Sequence, residues 1–227
     1  MTTTTTSSQN RDINEILTGN KAESFVAKNK IAVYTVLGVI VAAVLGFGMF
    51  KTFADKSNVE YNNKIHAFEI TTLKDYLANP TAPNAAKTLE SGVMNLHLEM
   101  GEYLGLLPLV IKSSDALMAH AQNTEARAVL SVGEKIASDD YAKYFILSRQ
   151  AAVFEDLGED KLAIETLEKM TSQSVKIFEG KTYLDLGRLY MKAGDKEKAK
   201  KNFTYVVEKA KGEAEFVKIA QLYLTKL

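Results

Sequence analysis

The stretch TYLDLGRLYMKAGDKEKAKKNF, from Thr182 to Phe203, decides the fold. Its apolar residues follow helical spacing on both sides of Gly194. Glycine readily ends a helix, because it adopts the left-handed backbone conformation without a Cβ clash. Asp195 follows, and a carboxylate is favoured at the positive amino-terminal end of the next helix. We therefore predict a helical hairpin over these residues.

The same pattern occurs 36 residues earlier, in FILSRQAAVFEDLGEDKLAIETLEKM from Phe145 to Met170. Gly158 there corresponds to Gly194. The other matched positions agree in being small or in being large and apolar: Ala151 with Gly187, Phe154 with Tyr190, Ala163 with Ala199, and Leu167 with Phe203. Self-similarity at this interval predicts a helical-hairpin repeat, in which stacked hairpins bury each other's apolar sides.

The later unit resembles the tetratricopeptide repeat family, in which an aromatic residue, Leu-Gly, Tyr, Ala and Phe recur at set spacing. The matching residues are Tyr183, Leu186-Gly187, Tyr190, Ala199 and Phe203, whereas Val206 and Lys211 depart from the pattern. The resemblance implies an α-solenoid whose first helices line a concave groove. By that register, the groove residues are Phe145, Ser148, Ala152, Glu155 and Asp156 in one unit, and Lys181, Leu184, Arg188, Met191 and Lys192 in the next. An acidic rim beside a basic rim, with apolar residues between, could hold an extended or helical peptide. The alternative is that these residues merely solvate the groove.

The flanking segments also predict helices, which makes the fold class all-α. A long helix is expected over about 58–77, ended by Asn79-Pro80. A weaker third unit is predicted around Gly101-Glu102, from the stripe that ends at Met100 and the segment YLGLLPLVIK, in which Pro108 either kinks the helix or marks a later start. Residues 125–137 form an amphipathic pattern without clear repeat register. The last segment, 213–227, has one apolar face, as needed to cover the end of a solenoid.

A transmembrane helix is predicted from Ile31 to Phe50, IAVYTVLGVIVAAVLGFGMF, because this run carries no charge. Twenty helical residues span roughly 30 Å, the thickness of the bilayer hydrocarbon. A buried core helix would show more polar positions, and a cleaved signal peptide would have a shorter apolar run and small residues at its cleavage site. The predicted organisation is a disordered or short amphipathic tail over 1–30, a membrane helix over 31–50, and a helical domain over 57–227.

The orientation and the helix contacts of this span are less strongly specified. Four basic residues precede the span and three follow it, so flanking charge does not decide the orientation. The short tail favours a cytoplasmic amino terminus. Gly38, Ala42 and Gly46 fall on one helix face, where small residues let another helix approach closely. The alternative is that glycine and alanine are simply common in membrane helices.

Composition and motifs give no support for catalysis. The 28 basic and 28 acidic residues balance, which argues against broad binding to nucleic acid. The chain has no cysteine, and its three histidines, His66, His97 and His120, lack metal-ligand spacing. No nucleophile elbow, phosphate loop or dinucleotide fingerprint is present. We therefore expect no enzymatic activity, no cofactor, no metal and no small-molecule substrate.

The order of segments is similar to that of the YfgM family, the ancillary subunit of the Sec translocon. The features that match are Ala27-Lys28-Asn29-Lys30 before the span, Leu147-Ser148-Arg149 in one repeat, and Lys192-Ala193-Gly194-Asp195-Lys196 in the next. The resemblance implies an inner-membrane protein with a periplasmic domain that binds Sec translocon subunits, a periplasmic chaperone or exported clients. The alternatives are a structural scaffold for another envelope or secretion assembly, and a regulatory subunit of an enzyme.

Overall fold

The computed structural model describes residues 39–40, 43 and 57–227. Over these residues the protein is all-α and contains no strand, which confirms the all-α part of the predicted fold class. No described helix combines the length and the apolar character that crossing a bilayer requires. The tail 1–30 and the predicted helix-packing residues Gly38, Ala42 and Gly46 lie outside the described residues, as does most of the predicted span.

Within residues 57–227 the helices follow one another with short connections. Helix α1 covers 57–78 and contains a π-helical turn at Glu69–Leu73. The next three helices are α2 (Ala85–Met100), α3 (Leu107–Ala119) and α4 (Asn123–Ile136). The remaining five are α5 (Asp140–Asp156), α6 (Asp160–Thr171), α7 (Glu179–Lys192), α8 (Lys196–Lys209) and α9 (Ala214–Leu224). Pro108 stands in the first turn of α3, so of the two alternatives the later helix start is confirmed.

Three hairpins, α3–α4, α5–α6 and α7–α8, are closed by the same turn. Each turn places one residue in the left-handed region: Ala121 at φ +54°, Gly158 at +74° and Gly194 at +80°. The next residue then donates its backbone N–H to a carbonyl five positions back. These bonds run from Gln122 to Leu117 (3.0 Å), from Glu159 to Phe154 (2.8 Å) and from Asp195 to Tyr190 (2.9 Å). The predicted 36-residue interval therefore corresponds to repeated helix-ending geometry.

The hairpin α3–α4 differs from the third repeat unit that the sequence predicted. The turn at Gly101 leads into a 3-10 turn at Leu104–Leu106, and α3 packs chiefly against α4 rather than against α2. The unit therefore begins at α3, with Ala121 in the position of the two later glycines. Its register is visible once this is known, because Ser114, Ala126 and Leu130 lie 37 residues before Ala151, Ala163 and Leu167.

The small residue in each first helix allows close contact with the second helix. A Cβ atom at Gly187 would lie 2.6 Å from Cδ1 of Phe203, whose side chain is fully buried. Ala163 and Ala199, at the small position of α6 and α8, are also fully buried. The predicted role of these positions in helix crossing is therefore confirmed.

Helix α5 is shared by two hydrophobic cores. Ala142, Ile146 and Val153 belong to the core formed with α1–α4. Leu147 and Ala151 belong to the core formed with α6–α9. Apolar residues therefore occur all around α5, as expected of a helix that is covered on opposite sides. Its start is fixed by Asp139, whose carboxylate accepts a hydrogen bond of 2.9 Å from the Ala142 N–H.

Helix α9 covers the end of the second core, as the sequence predicted. It contacts both α7 and α8. Ala220 is fully buried, and the Tyr223 ring stacks on the Phe203 ring with centroids 4.9 Å apart. The last hairpin therefore does not leave its apolar face in water.

Candidate protein-binding groove

A groove with a cavity volume of about 430 Å³ lies between the two first helices α5 and α7. Phe145 and Phe178 line it near the amino-terminal ends of these helices, and Glu155 and Arg188 line it near their carboxyl-terminal ends. The span from 145 to 155 along α5 is about 15 Å at a rise of roughly 1.5 Å per residue. The buried residues of the lining are Tyr144, Ala151, Leu167, Met170 and Thr182. The lining thus combines an apolar floor with a polar and aromatic rim.

Six of the ten residues predicted for the groove line it: Phe145, Ser148, Ala152, Glu155, Lys181 and Arg188. Four do not. Leu184 is buried in the second core and Met191 packs against that core, because both share a helix face with Gly187 at spacings of three and four residues. Lys192 donates to Asp160 on α6 (2.7 Å), and Asp156 is exposed outside the groove. That the groove binds a partner stays a prediction.

Two phenyl rings stand exposed at one end of the groove. Phe145 is 42% exposed and Phe178 is 59% exposed. Phe178 precedes α7 and has φ +47°, in the left-handed region that a residue with a Cβ seldom occupies. This residue therefore combines a disfavoured backbone conformation with an aromatic ring that is exposed to water.

The charged side chains that line the groove are paired with one another. Arg149 donates twice to Asp115 on α3, at 2.6 and 2.9 Å. Arg188 on α7 forms a two-pronged pair with Glu155 on α5, one bond of which is 2.7 Å. Lys181 donates to Asp185 on the same helix at 2.6 Å. The predicted acidic and basic rims are thus joined within and across the groove, and the lining has no net charge.

Hydrogen bonding shifts the pKa values of the central pair in opposite directions. The bond from the Arg188 guanidinium lowers the pKa of the Glu155 carboxyl, against the opposing effect of partial burial. The same bond raises the pKa of Arg188. Both groups are therefore charged at neutral pH. Burial raises the pKa of Tyr144 at the floor, so that its phenol stays neutral.

Asp115, Arg149, Asp185 and Phe178 were missed in the sequence. The pair of Asp115 and Arg149 joins residues 34 positions apart, and Glu155 and Arg188 are 33 apart. A search for opposite charges at about one repeat interval would have found both pairs. Phe178 lies in the connection 172–178, to which helical periodicity does not apply.

Metal ligation and histidine chemistry are not suggested by the described part of the chain. Residues 57–227 bring together no group of three metal-ligating side chains. The histidines lie apart: His66 on α1, His97 within 2.9 Å of the Gly101 carbonyl, and His120 against the ring of Tyr76. No family model and no curated protein matches the chain.

Proposed function

We propose that this protein is a membrane-anchored, non-enzymatic adaptor that binds protein partners through the groove between α5 and α7. In this proposal residues 1–30 are cytoplasmic, residues 31–50 span the bacterial inner membrane, and residues 57–227 form a tetratricopeptide-like α-solenoid in the periplasm. The resemblance to the YfgM family suggests Sec translocon subunits, a periplasmic chaperone or exported clients as partners.

The observation that carries the proposal is the pair of exposed rings, Phe145 and Phe178, above a buried apolar floor. Aromatic residues are enriched where proteins bind one another, because they bury a large area at a low cost in side-chain entropy. A groove of about 15 Å accommodates roughly four to five residues of an extended chain at about 3.3 Å each. Its size therefore fits a short peptide segment.

Two further observations favour an adaptor. Repeated hairpins with equivalent turns at Ala121, Gly158 and Gly194 are typical of stacked arrays, and arrays of this kind present curved surfaces to their partners. The uncharged segment 31–50 would hold this surface at the bilayer. Such anchoring raises the local concentration at a membrane partner, so weak affinity in the groove would suffice.

Photo-crosslinking in cells tests the proposal. A photoreactive residue in place of Lys181, on the groove rim, should capture translocon subunits, a chaperone or newly exported chains. A matched control replaces Lys161 on α6, whose side chain is 91% exposed and does not line the groove. Capture of one fixed assembly component at Lys181 would favour the structural scaffold instead. Equal capture at both positions, or none, would refute binding through the groove.

A further inference from the structure

We propose that the groove between α5 and α7 selects an uncharged, apolar segment, whose aromatic or large aliphatic side chain packs against Phe145 and Phe178. This inference rests on the proposed function, in which the groove receives a protein partner. It adds the chemistry of that partner, and it predicts that recognition is insensitive to salt.

The charges of the lining argue against a charged occupant. All six charged residues of the groove already have an oppositely charged partner within it: Asp115 with Arg149, Glu155 with Arg188, and Lys181 with Asp185. A ligand carboxylate would have to displace Asp115 or Glu155 from an arginine, and a ligand cation would have to displace an arginine or a lysine. Either exchange replaces one ion pair by another and leaves a charge of the protein without its partner.

The serine and threonine hydroxyl groups of the lining donate their protons within the protein. The Ser148 hydroxyl donates to the backbone carbonyl of Phe145 at 3.1 Å. The Thr182 hydroxyl donates to the backbone carbonyl of Phe178 at 3.3 Å. Both donors therefore support the backbone of the exposed phenylalanines. These two hydroxyl groups therefore have no free proton to donate to a polar peptide.

The apolar residues of the groove leave space for a large side chain. Ala151 and Ala152 leave room on α5, and Met170 from α6 forms part of the buried floor. Methionine adapts to side chains of different shapes. With Phe145 and Phe178 exposed at the rim, an entering apolar side chain would remove two phenyl rings from water together with its own surface.

Binding of three peptide probes to the full chain in mild detergent tests the inference. The peptides have equal length, the same neutral fluorophore, and phenylalanine and leucine at the same positions. They differ only at the remaining positions, which hold uncharged polar residues in the first peptide, aspartates in the second and lysines in the third. We expect the uncharged peptide to bind at least about tenfold more tightly than either charged one, a difference set by charge desolvation. Raising the salt concentration should change its affinity by less than about twofold, since no ion pair is formed.

Two variants assign the binding to the groove. Phe178→Asn removes the ring but suits the left-handed backbone, so the fold should be kept while the affinity falls at least about tenfold. The matched control is Ala121→Gly, which relieves a left-handed residue in the α3–α4 turn, away from the groove lining, and should leave the affinity unchanged. Circular dichroism establishes that both variants are folded.

Several results would overturn the inference: tighter binding of a charged peptide, salt-dependent binding, unchanged affinity in Phe178→Asn, or no binding of any peptide. These outcomes are separate from failure of the adaptor proposal. If Lys181 captures a partner in cells but a charged peptide binds best, then the adaptor function stands and only the chemistry of the ligand is wrong.

Discussion

Replacing Gly187 by alanine should destabilise the protein, although alanine is the better helix former. The added Cβ atom would lie 2.6 Å from Cδ1 of Phe203, whose ring is fully buried and stacked on the Tyr223 ring with centroids 4.9 Å apart. The ring therefore cannot turn aside. Overpacking of this kind costs up to about 3 kcal/mol, and the gain in helix propensity is about 1 kcal/mol. We expect a net loss of about 2 kcal/mol in the free energy of unfolding, as the difference of those two effects.

A second substitution should rescue the first. Phe203→Leu alone leaves a cavity and should cost about 1.5 kcal/mol. Combined with Gly187→Ala, it reproduces the residues of the preceding repeat, Ala151 and Leu167. The double variant then has no clash and keeps the propensity gain, so its net loss should be about 0.5 kcal/mol, less than that of either single variant. The coupling between the two sites is thus about 3 kcal/mol.

Urea unfolding followed by circular dichroism measures these four proteins, each as the full chain in the same detergent. An unchanged dependence on urea shows that the unfolded states are comparable. If Gly187→Ala stabilises the protein, or if the effects of the two substitutions simply add, then the close crossing of α7 and α8 does not depend on this pair and the packing argument is wrong.

Three further predictions concern the turns, the groove and the anchor. Ala121→Gly should raise the free energy of unfolding by about 1 kcal/mol, whereas Gly194→Ala in the equivalent turn should lower it by about as much, because both positions need a positive φ. Thermal unfolding measures both variants. Effects of the same sign would contradict the equivalence of the two turns. The pKa of Glu155 is lowered below its ordinary value of 4.5, so the pair with Arg188 should stabilise the protein at neutral pH and lose its effect as the pH falls below that value. Arg188→Met should flatten this part of the pH dependence of unfolding, and an unchanged profile would show that the pair does not contribute. Deleting residues 31–50 should move the chain from the carbonate-washed membrane fraction to the soluble fraction, and retention in the membrane would refute the anchor.

The hairpins α5–α6 and α7–α8 could be predicted because their turns contain glycine at the same place, Gly158 and Gly194. The α3–α4 hairpin has the same turn but with Ala121, and alanine gives no signal for a left-handed backbone. Its small position is held by Ser114, which helical patterns treat as polar although it is fully buried. The sequence pattern therefore places the third unit at the conspicuous Gly101, one helix too early.

The sequence predicts which helix faces form the groove, but it does not predict which side chains pair with one another there. Phe145 and Lys181, which the register predicts for the groove, both line the cavity between the two first helices. The same register could not show that Leu184 turns inward, because helix faces merge where the apolar stripe is wide. Nor could the register show that Arg188 reaches Glu155. That contact depends on the distance between the two hairpins, which is set by how they stack.

The corresponding positions of the three hairpins explain why the repeat is difficult to recognise from residue identity. The small position of the first helix is Ser114, Ala151 and Gly187 in turn, and the large position of the second helix is Leu130, Leu167 and Phe203. The smallest first residue thus faces the largest second residue, as required when the interior is close-packed and each interface must be filled without overlap. Changes at one position are tolerated when the other compensates, so the volume of the pair is kept while the letters differ. A repeat of this kind is therefore recognised by pairs of positions at a fixed interval, and the Gly187 and Phe203 cycle measures how strongly one such pair is coupled.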